Sequence, residues 1–124
     1  MTRPLALFVY ERLLPGGALV NRLQDLGYRV QSLGDPATLV EQAEREKPLL
    51  VLADLEPRRE QVCAAIAGLR QNRATAHVPV IALAAGSNPA SHEAARAAGA
   101  TLVVNDTAIL VHLNQLLDQA LQVE

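Results

Sequence analysis

The segment Leu49 to Ala53 (LLVLA) is an uninterrupted apolar run of strand length, bounded by Pro48 and Asp54. A strand that is apolar at every position buries both faces, as the inner strands of a parallel sheet do. Two further runs have this character, Pro4 to Tyr10 (PLALFVY) and Val78 to Ala84 (VPVIALA), and Thr101 to Val104 (TLVV) is a shorter one. Tyr28 to Leu33 (YRVQSL) alternates instead, as expected of a half-exposed edge strand. Helix-type segments separate these runs. Leu19, Leu23 and Leu26 recur on one helical face, and Gly27 is placed to end that helix. Asp35-Pro36 starts a second helix, capped by Asp35, that buries Ala37, Val40 and Ala43 and stops at Pro48. Glu60 to about Gln71 is a third helix, inward at Val62, Ile66 and Leu69. Asn88-Pro89 opens a fourth, through Ala94, Ala95 and Ala98 to Gly99. Asn105 or Asp106 caps a last helix that buries Ile109, Leu113, Leu116, Leu117 and Ala120.

Five buried or edge strands alternating with five helices predict one α/β domain over residues 1–124, a three-layer sandwich with helices on both faces of a parallel sheet. The flavodoxin-like strand order 2-1-3-4-5 fits best, with the alternating second strand at the edge. A site is then expected outside the carboxyl ends of strands 1 and 3, where the strand order reverses.

Composition narrows the function. Eleven Lys+Arg against 13 Asp+Glu give a net charge of −2, which supplies no basic footprint for nucleic acid, and 2% aromatic content leaves almost no base-stacking platform. No apolar run approaches the roughly 18 residues of a membrane span. Met1-Thr2-Arg3-Pro4 leads directly into the first strand with no cleavage signature, and the single Cys63 excludes an internal disulfide, so a cytoplasmic location is expected. His77, His92 and His112 lie in separate segments without ligand spacing, and Cys63 sits in an apolar helical stretch with no base near it in sequence. Pro15-Gly16-Gly17 lacks the pattern of a phosphate-binding loop and is expected to form a plain turn. Arg58-Arg59 is expected to be a solvated helix start beside Asp54, able to pair with an anion or an acidic patch.

The junction Leu26-Gly27-Tyr28, the segment Lys47 to Asp54, the segment Val78 to Leu83 and Ala97-Ala98-Gly99-Ala100 together resemble the receiver domain of bacterial response regulators (CheY-like), across essentially the whole chain. The resemblance implies a phosphoacceptor Asp at the end of strand 3, matched by Asp54. It implies two acids that hold Mg²⁺ at the end of strand 1, where Tyr10 replaces the first and Glu11 remains. It implies a Thr or Ser at the end of strand 4, where Ala84 stands, and a Lys after strand 5, where Asp106-Thr107 stand. An aromatic switch residue in strand 5 is replaced by Val103, and Pro57 arrives one residue early in the loop after Asp54.

A phosphoryl group is stabilised by metal and positive charge, so an Asp in place of the Lys reverses the sign that faces it. The only lysine, Lys47, precedes strand 3 and lies at the opposite end of the sheet; Arg12 is the nearest cation in sequence to Glu11. Glu11, Asp54 and Glu56 are the remaining weak ligand set for Mg²⁺. Tyr10 is expected to fill the vacated acid pocket with its hydroxyl near Asp54.

The resulting expectation is a degenerate receiver (pseudo-receiver) that is not an enzyme and acts in phosphorelay signalling by protein–protein contact. Its partner is expected to be a histidine kinase or an output protein, or a second copy through the face formed by residues 91–121. The alternatives are a receiver still phosphorylated on Asp54 with a weakened metal site, and a flavodoxin-like small-ligand or nucleotide-binding protein. The chain shows no converging His, Ser or Lys for catalysis. Stopping at Gln122-Val123-Glu124, it also has no expected DNA-binding segment.

Overall fold

The structure, a computed structural model, describes residues 4–11, 13–56, 58–84 and 89–122. Its elements are β1 (Leu5–Val9), α1 (Leu13–Asp25), β2 (Arg29–Leu33), a 3₁₀ turn (Pro36–Thr38), α2 (Leu39–Glu46), β3 (Leu50–Asp54), α3 (Arg59–Gln71), β4 (Val80–Ala84), α4 (Pro89–Ala98), β5 (Leu102–Asn105), α5 (Ala108–Val111) and α6 (Leu113–Gln122). All strand pairs are parallel, in the order β2-β1-β3-β4-β5. The expected order is therefore the observed one.

Burial follows the apolar pattern. Every residue of β1, β3 and β4 is buried, whereas the edge strands β2 and β5 are largely half-exposed. Successive residues of a strand face opposite sides, which divides the core in two. Leu7, Val9, Val51, Ala53, Val80 and Ala82 meet Leu39 and Ala43 of α2, Ile66 and Leu69 of α3, and Ala95 of α4. Ala6, Phe8, Leu50, Leu52, Ile81 and Leu83 meet Leu19 and Leu23 of α1, and Ile109, Leu113 and Leu117 of α5 and α6. Among the described residues, no helix is long and apolar enough to cross a membrane.

The expected punctuation is largely present. Gly27 takes a left-handed φ of 95° after α1, and Asp35 accepts a hydrogen bond from the Ala37 N–H at 3.0 Å as a helix cap. Asn105 Oδ1 accepts from the Thr107 N–H at 2.9 Å ahead of α5.

Five details differ from expectation. Pro15-Gly16-Gly17 is not a turn but lies inside α1, because Pro15 falls in the first helical turn, where a backbone N–H has no intrahelical acceptor to lose. Leu26 is 43% exposed: its N–H still donates to Arg22 O at 3.1 Å, but it lies in the turn that closes α1, past the last buried residue of that face, Leu23. Ala37 is exposed, because the 3₁₀ turn rotates Pro36 and Leu39 inward in its place. Ser91 is buried on α4 with Ala95, while Ala94 and Ala98 are only half-buried. The last helix is two pieces, α5 and α6, interrupted at His112; Ile109, Leu113 and Leu117 nevertheless bury in the same cluster, so the break leaves the inward face unchanged.

Tyr28 closes one end of that cluster. Burial, reinforced by the charge of Asp118, pushes its phenol above the ordinary tyrosine value. A pKa raised on folding gives stability that is intact below the unfolded value, about 10, and lost as pH rises through the folded one. Tyr28→Phe is accordingly expected to lose less stability than the parent as pH rises above about 10, measured by urea midpoints at each pH. Parallel curves for the two proteins would remove Tyr28 from the alkaline transition.

Candidate functional site

Three backbone hydrogen bonds extend the ladders past the strands and fix the carboxyl edge of the sheet. The Tyr10 N–H donates to Leu33 O at 3.0 Å, the Leu55 N–H to Leu83 O at 3.0 Å, and the Asp106 N–H to Ala84 O at 2.9 Å. They bring Tyr10, Asp54, Ala84 and Asp106 to one end of the molecule, at the reversal of strand order where open α/β sheets place their sites. Lys47 is at the other end, in a left-handed conformation at the close of α2, as the sequence implied.

Asp54 is 1% exposed. It follows Leu50 and Leu52 on the α1 face of β3, and its Oδ1 accepts the Glu56 N–H at 3.2 Å, which closes the turn after the strand. Ala84 is fully buried against the α2–α4 side of the sheet and offers no hydroxyl, and the register sets Leu83 opposite Asp54. Val103 is half-buried in β5 and packs on the same side.

Tyr10 departs from expectation. The register Phe8↔Leu52 and Val9↔Ala53, carried one step further, puts Tyr10 beside Asp54 at the backbone. The side chain turns the other way. Its ring stacks obliquely on Phe8, with centroids 4.5 Å apart, and its hydroxyl lies 3.5 Å from Ser32 Oγ of β2, a long and weak contact. The reason lies in α1: Gly16 is buried and has no Cβ, and a Cβ there would overlap the Tyr10 ring, so the ring occupies the space above that glycine.

The expected Mg²⁺ ligands Glu11, Asp54 and Glu56 are not assembled. Glu11 Oε2 accepts from Arg58 Nε at 2.6 Å, and the same guanidinium donates through Nη2 to Gly34 O at 2.9 Å. The hydrogen bond to Glu11 is the main cause holding the Arg58 pKa above its ordinary value. Among the described residues, no group of three or more His, Cys, Asp or Glu side chains converges as a metal site. As arranged, the donor set does not fit a divalent cation, because the carboxylate left after β1 is already committed to a cation of the chain itself.

Arg59 turns toward α4, where Nη1 donates to the buried Ser91 Oγ at 3.1 Å. The arginine pair expected to be solvated thus makes two separate tertiary contacts. Cys63 is half-buried; burial pushes its thiol up, with the Arg59 charge pulling partly back, which suits a packing role over a nucleophilic one. His77 and His112 are exposed and His92 is half-buried, each on a different segment. Arg12, Pro57, Ala85 and Asn88, to which sequence roles attach, lie outside the described residues.

The fold is that of response-regulator receiver domains. The receiver domain of the sensor histidine kinase PA1611 from Pseudomonas aeruginosa, solved with a magnesium ion in its active site cleft, superposes with a TM-score of 0.87 at 23% identity, over 98% of this chain and 100% of that one. The Vibrio cholerae chemotaxis protein CheY4 superposes with a TM-score of 0.83 at 18% identity, over 96% of this chain and 99% of that one. The BeF3-activated receiver domain of RstA from Klebsiella pneumoniae gives 0.82 at 21% identity, over 96% and 99%. No family model and no curated protein matches the sequence itself.

Proposed function

We propose that this chain is a degenerate receiver, a signalling module that works through protein–protein contact and is not conventionally phosphorylated. The observation that carries this reading is the residue types at the ends of β4 and β5: Ala84, a buried methyl, and Asp106, a carboxylate, stand at the positions where the receiver resemblance implies a hydroxyl and a cation. Phosphoryl transfer needs little covalent help from the protein and depends on charge complementarity at the group in flight. A second carboxylate and a methyl supply none.

The contact surface in this proposal is the face built by α4, β5, α5 and α6, residues 91–121. Val111 is 74% exposed there, Ala97 of α4 presents a small exposed side chain, and β5 is half-exposed along its length. A histidine kinase, an output protein or a second copy of the chain would dock on it, in the cytoplasm. No catalytic role belongs to this reading.

Incubation with acetyl phosphate or phosphoramidate and Mg²⁺, followed by intact mass at low pH, tests the reading. The expected result is no phosphoryl adduct. An adduct that is lost at alkaline pH and abolished by Asp54→Asn would make the chain a phosphorylatable receiver instead.

A further inference from the structure

Arg58 joins three connections that are far apart in sequence: the segment after β1 through Glu11, the segment after β2 through Gly34 O, and the start of α3, which carries it. Two N–H groups of the guanidinium, at Nε and Nη2, donate in fixed directions, so the side chain is held by its planar geometry as well as by charge. Asp35 adds a further negative charge near it.

We propose that Arg58 is an internal counter-ion that takes the place of a divalent cation at this end of the sheet, occupying Glu11 and making the local conformation independent of Mg²⁺. The inference rests on reading this edge as a former phosphoryl site. Mg²⁺ requires near-octahedral oxygen donors at about 2.0–2.1 Å and is usually held by one or two carboxylates. Here an entering cation would have to displace a guanidinium from Glu11 at 2.6 Å and then sit against its positive charge. Both side chains of the pair are more than a third exposed, 37% for Arg58 and 38% for Glu11, so solvent weakens the pair. The Gly34 carbonyl restricts where the displaced guanidinium can go. The cation role is therefore met from within the chain, and the carboxylate has no need of a metal to be neutralised.

Amide line broadening by Mn²⁺, titrated into the whole chain, tests this. Arg58→Gln is expected to broaden Glu11, Asp54 and Leu55 at a Mn²⁺ concentration at least about threefold lower than the parent requires, the scale of an exposed ion pair. Adding Glu11→Gln to that variant is expected to abolish the gain. Arg58→Lys, which keeps the charge without the fork, should fall between and guards against a folding defect in Arg58→Gln. Equal titrations of parent and Arg58→Gln, or a parent that broadens first at these amides, would overturn the inference. Neither outcome produces a phosphoryl adduct, so failure here is distinguishable from failure of the proposed function.

Discussion

Arg70→Met is expected to lower stability by about 3 kcal/mol, and with it the thermal midpoint by about 10 °C for a domain of this size. The arginine leaves α3 and holds the amino-terminal side of β4 and β5 together. Nε donates to Gly99 O at 2.8 Å, Nη1 to Ala76 O and Val78 O at 2.7 Å each, and Nη2 to Thr101 Oγ1 at 3.1 Å. Thr101 Oγ1 in turn accepts the Val80 N–H at 3.0 Å, so the network continues into β4 itself. Hydrogen bonds from a charged donor contribute about 1.5–3 kcal/mol each. Their sum is not expected here, because the side chain is only half-buried and water reaches part of the site once it is removed. Burial lowers the Arg70 pKa, yet a guanidinium remains charged at any ordinary pH, so the effect should not vary between about pH 5 and 9. Arg70→Lys should recover less than half of the loss, since an ammonium cannot span the same four acceptors. Thermal melts of the three proteins decide the matter; a methionine variant within about 1 kcal/mol of the parent would show that the network is dispensable.

The second large effect has an unusual sign. Replacing a helical glycine by alanine ordinarily gains up to about 1 kcal/mol. Gly16→Ala is expected to lose about 2 kcal/mol instead, because the new Cβ overlaps Cδ2 and Cε2 of Tyr10, whose ring is held against Phe8. Gly17, one residue on, has nothing within 4 Å of a Cβ, and Gly17→Ala should show the ordinary gain. Tyr10→Ala in the Gly16→Ala background should restore part of the loss, and a double-mutant cycle measures the coupling. If the two alanine variants shift the urea midpoint in the same direction, the packing account of Tyr10 fails.

The strands and most helix ends were legible because their signals are local. An apolar run of strand length, a glycine at a left-handed position and an Asp before a Pro each act within a few residues, and Gly27 and Asp35 behave as those signals say. Even the strand order followed, since right-handed crossovers and one alternating strand leave few arrangements. The arrival of Asp54 at the reversal point was legible for the same reason. What misled were signals read without their surroundings. Pro15-Gly16-Gly17 looks like a turn until the first helical turn is seen to tolerate the proline and the Tyr10 ring to need the glycine. Ser91 on α4 is buried because an arginine from α3 satisfies its hydroxyl, a partner 32 positions away. Arg58-Arg59 was a visible signal, but nothing in its spacing said which carboxylate it would meet. Arg70 gave no signal at all.

By itself the sequence determined the layers, the topology and the residue types at the ends of the strands, Ala84 and Asp106 among them. Tertiary structure alone decided how the remaining groups pair: Tyr10 toward Ser32, Glu11 with Arg58, Arg59 with Ser91. The physical reason is range. Periodicity and capping are set by neighbours along the chain, whereas a charge chooses its partner by distance in space, and Glu11 and Arg58 are 47 residues apart in sequence and 2.6 Å apart in the fold.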